Sequence, residues 1–257
     1  MSGEKVRLGG MALTNGVLVH GPTSWAVAIR DESGKVRTAA GEKPLQAAKL
    51  RNPLLRGPAR FAEIFAVLAR VRAELPQARL PFERASVAAS MAAGAVLLRL
   101  VRRSRLNAVA QELIGAAVAF APALLALRGG ELAAYHGAEH ISIGTYEHDA
   151  PRAREHERCG THLVGPLLAT AAVGNVLAAK VPEPLRPTAR LGAAVGSVAA
   201  ATEIFGWMSR HPGHPVARAL ARPGYEFQHR FATAEPTSAQ LEVAQAALDA
   251  CLALETA

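Results

Sequence analysis

Small apolar residues dominate residues 163–181, which read LVGPLLATAAVGNVLAAKV, and residues 189–208, which read ARLGAAVGSVAAATEIFGWM. Two further stretches, 85–101 and 106–127, have the same character. A helix needs about 20 mostly apolar residues to cross the hydrocarbon core of a bilayer. Four segments of this length predict a mainly α-helical fold, with about four Ala-rich, membrane-associated helices and small mixed α/β segments at both termini.

Each of these stretches also contains polar residues, so that each taken alone is equally compatible with a buried helix of a soluble protein. These residues are Arg99 in the first stretch, Gln111 and Glu112 in the second, Asn175 and Lys180 in the third, and Glu203 in the fourth. Basic residues flank every stretch on both sides, so the excess of Lys and Arg that marks cytoplasmic loops does not select an orientation. We expect a protein of the cell membrane, either multi-pass or inserted as helical hairpins.

The composition of the whole chain supports this class. Half of the 257 residues are hydrophobic and 19% are charged, a balance that excludes a disordered chain. Alanine accounts for 55 residues and aromatic residues for only 5% of the chain, which suits closely packed helices. Two cysteines cannot form a disulfide framework. Residues 1–21 contain no continuous apolar run, so we expect no cleaved secretory signal.

Positive charge is concentrated in residues 51–105, where eleven arginines stand against three glutamates. Within this region, apolar residues recur at helical spacing from Phe61 to Val71, with Arg60, Arg70 and Arg72 beside them. This pattern is typical of a basic amphipathic helix on an anionic lipid surface, or of a solvated arginine face on a helix of the protein itself. Nucleic-acid binding is not expected, because no binding motif or stacking aromatic residues accompany the arginines.

Both ends of the chain differ from the helical middle. Residues 17–19, 25–29 and 35–38 are predicted to be short strands, and the proline-containing residues 41–60 a connector. Near the other end, Tyr225–Phe231 reads as a strand, and Thr237 with Gln240 forms a capping box that opens a helix. We divide the chain into a β-rich segment 1–60, a helical region 61–209 that carries the candidate site, and a strand-plus-helix segment 210–257 that packs with the first.

Five of the nine histidines lie between residues 136 and 162. The densest part is Tyr135-His136-Gly137-Ala138-Glu139-His140. Residues four apart share one face of a helix, so His136 and His140 could bind one metal ion. Their order with Glu139 is the H-x-x-E-H pattern of one class of zinc proteases, in which the histidines bind zinc and the carboxylate activates water. We therefore predict a divalent metal ion at this point, with Glu139 as the catalytic residue.

A second group of metal-binding residue types follows at 156–162. Cys159 is a chemically suitable third ligand, because zinc prefers nitrogen and sulfur donors in tetrahedral sites. His156 and Glu147 are further candidates for the third or fourth position, whereas His148 and His162 are expected to be bystanders. The alternative to a metal site is that these residues belong to a polar loop and that Cys159 is a buried free thiol.

Three isolated polar residues complete the set of candidates. Glu203 lies in an otherwise apolar helix, and buried carboxylates are rare unless they are paired or bind a metal. We expect it either to be a remote metal ligand or to pair with an arginine such as Arg190. Asn15 and His20 lie among glycines, where a role in turns is expected.

Several motifs follow one another along the chain. They are Gly9-Gly10-Met11-Ala12, Asn15-Gly16-Val17, Leu55-Arg56-Gly57, His136-Gly137-Ala138-Glu139-His140, Tyr146-Glu147, Arg158-Cys159-Gly160-Thr161, Pro223-Gly224, Gln228 and Glu235-Pro236. In this order they resemble the YqhQ-like family of bacterial membrane proteins, an uncharacterised family often described as predicted metal-dependent enzymes. The resemblance covers about residues 9–250. It implies several membrane-embedded helices and a single site formed by His136, His140 and Cys159, but it implies no substrate.

The chain departs from the family pattern at several positions, of which Asn15 bears on chemistry because glutamate is usual there. If that glutamate is catalytic in the family, this chain would bind its metal without catalysis. Two functions follow. The first is a membrane-associated, metal-dependent enzyme, a hydrolase in which Glu139 is the general base. The second is a membrane structural or assembly protein, whose metal takes a fourth ligand from His156 or Glu147 and is structural.

Overall fold

The computed structural model describes residues 5–127 and 130–256 and shows a mainly helical protein with one small antiparallel sheet. The strands are β1 (Gly9–Leu13), β2 (Gly16–His20), β3 (Ser24–Arg30) and β4 (Val36–Glu42). The helices within these ranges are α1 (Pro53–Glu74), α2 (Ala85–Arg103), α3 (Ala108–Leu127), α4 (Glu131–His148), α5 (Val164–Ala179), α6 (Arg186–Arg210), α7 (Pro215–Phe227) and α8 (Ser238–Glu255). The predicted fold class is therefore confirmed.

The sheet is a simple meander in which each strand pairs with the next one in sequence. Sequence analysis missed β1, whose two glycines give a weak strand signal. The predicted turn role of Asn15 is confirmed, since it lies between β1 and β2. Its side-chain amide donates to the carbonyl oxygen of Gln77 at 3.0 Å and its oxygen accepts from the backbone N–H of Arg79 at 2.9 Å. His20 instead ends β2.

The inner strands β2 and β3 are buried on both faces of the sheet, whereas the edge strand β4 is largely exposed. Trp25, Val27 and Ile29 of β3 pack with the apolar face of α1, and the intervening Ala26 and Ala28 pack with α4 and α8. This alternation is the period-two pattern of a strand, and it places the sheet between helical layers. The residues of α1 on this sheet face are Val67, Leu68 and Val71.

The last helix, α8, is fixed to the sheet at its C-terminal end. It begins after the predicted capping box, in which Thr237 and Gln240 exchange hydrogen bonds. The carboxylate of Glu255 accepts from the backbone N–H groups of Thr23 and Ser24, at 2.9 and 2.7 Å. Cys251 is a buried free thiol in the same layer, as its helical spacing suggested.

Two of the predicted element assignments are wrong. Tyr225–Phe231 is not a strand: it continues α7 and ends in a π-helical turn, Gln228–Ala232. The aromatic residues at 225 and 227 are two positions apart, which is the spacing of a strand. Those at 227 and 231 are four positions apart, which is the spacing of a helix. The connector 41–60 is shorter than expected, because Pro53 is the first residue of α1, a position that requires no backbone N–H.

Within the described residues, four helices are long and apolar enough to cross a membrane, namely those within Ala85–Arg103, Ala110–Leu127, Gly160–Ala179 and Glu183–Arg210. No more than 22% of any of these segments is buried inside the protein. They are arranged as two hairpins, since α2 packs with α3 and α5 packs with α6. Large apolar side chains such as Leu97, Leu113, Val173 and Leu191 are exposed on them.

Several of the polar residues in these stretches have partners inside the helical region. Arg102 of α2 forms an ion pair with Glu112 of α3, and the amide of Asn175 of α5 donates to the same carboxylate at 3.2 Å. These residues lie near the turns that close the two hairpins. The ion pair and the amide contact therefore link the two hairpins at that end.

Candidate metal centre

The centre of the candidate site is α4, which is buried over most of its length between the sheet and the loops that follow. His136, Glu139 and His140 lie within two helical turns of it. Glu139 is 5% exposed and His140 is 1% exposed. Because residues three and four apart lie on one helix face, the two rings are neighbours, with their centroids 4.2 Å apart.

Backbone carbonyl groups fix the two imidazole rings. Nδ1 of His136 is 2.8 Å from the carbonyl oxygen of Ala232, and Nδ1 of His140 is 2.6 Å from that of Arg154. A carbonyl oxygen can only accept, so each Nδ1 carries the proton and each Nε2 keeps its lone pair. Metal-binding histidines are commonly held in this way.

The Nε2 atom of His140 is buried and has no hydrogen-bond partner among the residues that the structure describes. Burial also keeps the ring neutral, because it lowers the pKa of His140 far below its ordinary value; the neighbouring His136 acts in the same direction. A buried nitrogen without a partner is costly, so its presence calls for an explanation. A metal ion would satisfy it.

Cys159 completes a group of three ligand atoms. Its Sγ lies 3.4 Å from Nε2 of His136, and the ligand atoms of His136, His140 and Cys159 all lie within 4.8 Å of one another. A tetrahedral zinc ion at about 2.05 Å from nitrogen and about 2.3 Å from sulfur would hold such a pair about 3.5 Å apart. Burial raises the pKa of the Cys159 thiol, so binding of a metal would have to release its proton. The group of three could therefore hold a metal ion, and the distance between His136 Nε2 and Cys159 Sγ is that of a tetrahedral site.

Glu139 lies at the edge of this group. Its Oε2 is 3.9 Å from Nε2 of His136, and the same oxygen is buried without a hydrogen-bond partner. Burial is the main reason that the pKa of Glu139 is raised to about 8. The carboxylate also packs against β1, where a Cβ atom on Gly10 would lie 2.5 Å from Oε1.

His156 and Glu147 bind each other and do not join the group of three. Nε2 of His156 is 3.1 Å from the Glu147 carboxylate, which also forms an ion pair with Arg158. Burial lowers the pKa of His156 to about 4. The two residues that were candidates for a fourth ligand therefore already satisfy one another beside the site.

Glu203 lies outside the group of three ligand atoms. The expected pairing with an arginine is confirmed, but the partner is Arg56 and not Arg190. Its carboxylate forms a two-pronged ion pair with Arg56 of α1, with Nη2 of Arg56 at 2.6 and 2.7 Å from its two oxygens. The arginine that reaches Glu203 comes from a helix 147 residues away in sequence.

Gln228 is the main residue that sequence analysis did not assign to the site. It is fully buried at the start of the π-helical turn, and its side-chain oxygen accepts from the backbone N–H of His156 at 2.9 Å. Its amide nitrogen lies 2.7 Å from the Thr161 hydroxyl and 3.0 Å from Nε2 of His162. His162, expected to be a bystander, is thus part of the network that fixes the loop carrying Cys159. The only sequence signal was the place of Gln228 among the family motifs.

Besides carrying Gln228, the π-helical turn supplies the backbone carbonyl group that fixes His136. It ends at Ala232, whose carbonyl oxygen holds His136, and π-helical turns are frequent at functional sites. The chain then passes close to α4, where the backbone N–H of Ala234 donates to the carbonyl oxygen of Ala133 at 2.9 Å. Gly137 makes this approach possible, because a Cβ atom there would overlap the carbonyl oxygen of Ala234.

Comparison with known proteins identifies one related family. Residues 131–254 match the family described as "Protein of unknown function (DUF1385)". This range runs from α4 into α8, so it contains the three candidate ligands, Glu139 and Gln228. No curated protein and no solved structure matches the chain. The similarity is thus to an uncharacterised family, and the case for a function depends on the site.

Proposed function

We propose that the protein is a membrane-embedded, metal-dependent enzyme of the hydrolase type, with zinc held by His136, His140 and Cys159. The observation that carries this proposal is the buried, partnerless Nε2 of His140, which lies together with Nε2 of His136 and Sγ of Cys159. Two nitrogens and one sulfur are a donor set that suits zinc.

A zinc ion with three protein ligands keeps one position for water or substrate and lowers the pKa of bound water to about 7. The residues around it have separate roles in this proposal. The carbonyl groups of Ala232 and Arg154 orient the two imidazoles. Glu139, which does not belong to the group of mutually close ligand atoms, is the general base that accepts a proton at Oε2.

The alternative, a structural metal, requires a fourth protein ligand. The hydrogen bond between His156 and Glu147 argues against it, since each would have to leave the other to reach the metal. Asn15, whose departure from the family pattern raised the same alternative, is occupied in the turn between β1 and β2 by hydrogen bonds to residues 77 and 79.

Cobalt substitution tests whether the site keeps an open position. We expect the Co²⁺-loaded protein to show a thiolate-to-cobalt charge-transfer band that is absent from Cys159→Ser. Addition of acetohydroxamate, which binds metals at open positions, is expected to change the cobalt spectrum. A thiolate band that hydroxamate leaves unaltered would indicate four protein ligands and overturn the enzymatic proposal.

The two hairpins give a simple arrangement in the membrane. Their closing turns, at residues 104–107 and 180–185, lie at one end, as the contact between Glu112 and Asn175 indicates. The opposite ends of the four helices connect to the segment that follows α1, to α4, to the Cys159 loop and to α7. We propose four spans, with the metal centre and the sheet on one side of the bilayer. At about 1.5 Å per residue, α2 and α3 are about 28–30 Å long, close to the thickness of the hydrocarbon core.

We propose that α1 lies at the same surface and contacts anionic lipid. It exposes Leu54, Leu55 and Phe65 together with Arg60 and Arg70. The opposite face of its second half packs on the sheet. This arrangement corresponds to a basic amphipathic helix at an interface.

Cysteine labelling in right-side-out and inverted vesicles tests the arrangement of the spans. We expect Ser104→Cys and Glu183→Cys, in the two closing turns, to react with a membrane-impermeant maleimide from the same side. Ser33→Cys, in the exposed turn between β3 and β4, is expected to react only from the other side. Labelling of the wild-type chain measures the background that comes from its two native cysteines. Labelling of all three positions from one side would contradict four spans.

A further inference from the structure

A large cleft adjoins the candidate metal centre. It has a volume of about 820 Å³ and lies between the loop around residues 152–158, the end of α6, and α7, with residues 5–7 at its edge. His156 and His162 form part of its wall, and the ring of His156 is 5.4 Å from that of His140. A ligand in the cleft would therefore lie beside the proposed zinc site.

The lining of the cleft is basic. Six arginine or lysine residues and three glutamates line it. Each glutamate is already engaged: Glu147 with Arg158 and His156, Glu155 with His229, and Glu157 with Arg152. In the part of the chain that the structure describes, these glutamates form no ion pair with Arg218 or Arg222.

Arg218 and Arg222 are the cations best placed for an added anion. They are four residues apart on α7, so their side chains leave the same face of the helix. In the part of the chain that the structure describes, neither forms an ion pair with a carboxylate. Two guanidinium groups on one face form a site for a doubly charged oxyanion such as a phosphate monoester.

Part of the wall is apolar and lies where a lipid could enter. Phe205 and Met208 come from the last turns of α6, one of the four helices proposed to span the bilayer, and Tyr225 comes from α7. The end of a spanning helix lies at the boundary between hydrocarbon and headgroups, where aromatic residues are favoured. The cleft thus combines cations with an apolar wall at the level of the lipid headgroups.

We propose that this cleft binds an amphiphile that carries a phosphate group, with the phosphate on Arg218 and Arg222 and the hydrocarbon chain along Phe205, Met208 and Tyr225. Taken as the substrate class of the zinc centre, this ligand rests on the proposed function above. Binding itself rests on the proposed membrane spans but not on the metal centre, because none of these five residues belongs to the metal site.

Lipid binding to the full chain in phosphatidylcholine nanodiscs tests the proposal, with native mass spectrometry as the readout. We expect one lysophosphatidic acid molecule per chain, bound at least tenfold more tightly than lysophosphatidylcholine of the same chain length. The Arg218→Gln/Arg222→Gln variant is expected to lose at least tenfold in affinity for lysophosphatidic acid. The Arg105→Gln/Arg190→Gln variant removes the same charge from exposed positions remote from the cleft and is expected to bind as the wild type does.

Inorganic phosphate distinguishes a lipid headgroup from a free phosphate ion. We expect phosphate to compete only at concentrations at least a hundredfold higher than that of lysophosphatidic acid. Competition at equal concentrations would contradict the proposal that the ligand is an amphiphile. Equal binding of the two lysolipids, or no effect of the Arg218/Arg222 substitutions, would overturn the cleft as a phosphate site.

The same titration on zinc-loaded and chelator-treated protein separates this inference from the proposed function. Phosphate-dependent binding in a chain that takes up no zinc would support the cleft and refute the metal centre. Zinc uptake without preference for the phosphate lipid would refute the inference and leave the metal centre intact.

Discussion

Replacing His140 with alanine is expected to remove zinc from the protein. The wild-type chain, purified in detergent and dialysed against zinc-containing buffer, should retain about one ion per chain, as one group of three ligands implies. His140 supplies a buried ligand atom that has no other partner within residues 5–127 and 130–256. Loss of groups that merely orient a ligand costs about 10–100-fold in metal affinity, so loss of the ligand itself should cost more than 100-fold. Elemental analysis and competition with a chromophoric chelator measure the effect.

His148→Ala is the matched control for this experiment. His148 is the last residue of the same helix and is exposed, outside the group of three ligand atoms. We expect its zinc content and affinity to equal those of the wild type. Circular dichroism and the melting temperature of both variants establish that each remains folded. Undiminished zinc content in folded His140→Ala would contradict the assignment of the ligands.

Gly137→Ala is expected to destabilise the fold and weaken the site together. The added methyl group would overlap the carbonyl oxygen of Ala234, a backbone atom that cannot move without displacing its segment. Crowding of this kind costs about 2–3 kcal/mol, which corresponds to a melting temperature about 5–10 °C lower. The same displacement would move the Ala232 carbonyl away from His136, and we expect about 10–100-fold weaker zinc binding.

Gly192→Ala in α6 serves as the control, since a Cβ atom at that position meets nothing within 4 Å. Alanine also has the higher helix propensity, so we expect an unchanged or slightly higher melting temperature. Equal melting temperatures and equal zinc affinities of Gly137→Ala and Gly192→Ala would contradict the close contact between residues 232–234 and α4.

Local patterns predicted much of the helical fold. The four Ala-rich stretches and the capping box at Thr237 depend on neighbouring residues, and the structure contains them nearly as expected. The strand predicted at Tyr225–Phe231 was wrong, because a short aromatic run does not show a clear periodicity. In the structure this segment is helical, and α7 packs against the turn at residues 160–163. Likewise, the partner of Glu203 could not be predicted, because it comes from a distant helix.

The candidate site likewise contains features that the sequence predicted and features that it did not predict. The pair His136 and His140 follows from helix periodicity, and Cys159 from zinc chemistry and the family motifs. The carbonyl groups of Ala232 and Arg154 could not be predicted, since any residue supplies a carbonyl and only the fold brings these two to the rings. The same holds for the contact between the candidate ligands His156 and Glu147, which their spacing in the sequence did not predict.

X-ray absorption spectroscopy at the zinc edge of the purified full-length protein tests the central claim most directly. A zinc ion held by His136, His140 and Cys159 predicts one sulfur at about 2.3 Å and two imidazole nitrogens at about 2.0–2.1 Å, together with an oxygen from solvent. The sulfur should disappear in Cys159→Ser while the imidazole signal remains. A zinc-loaded protein with no sulfur in its first shell, or a folded protein that takes up no metal, would contradict the account.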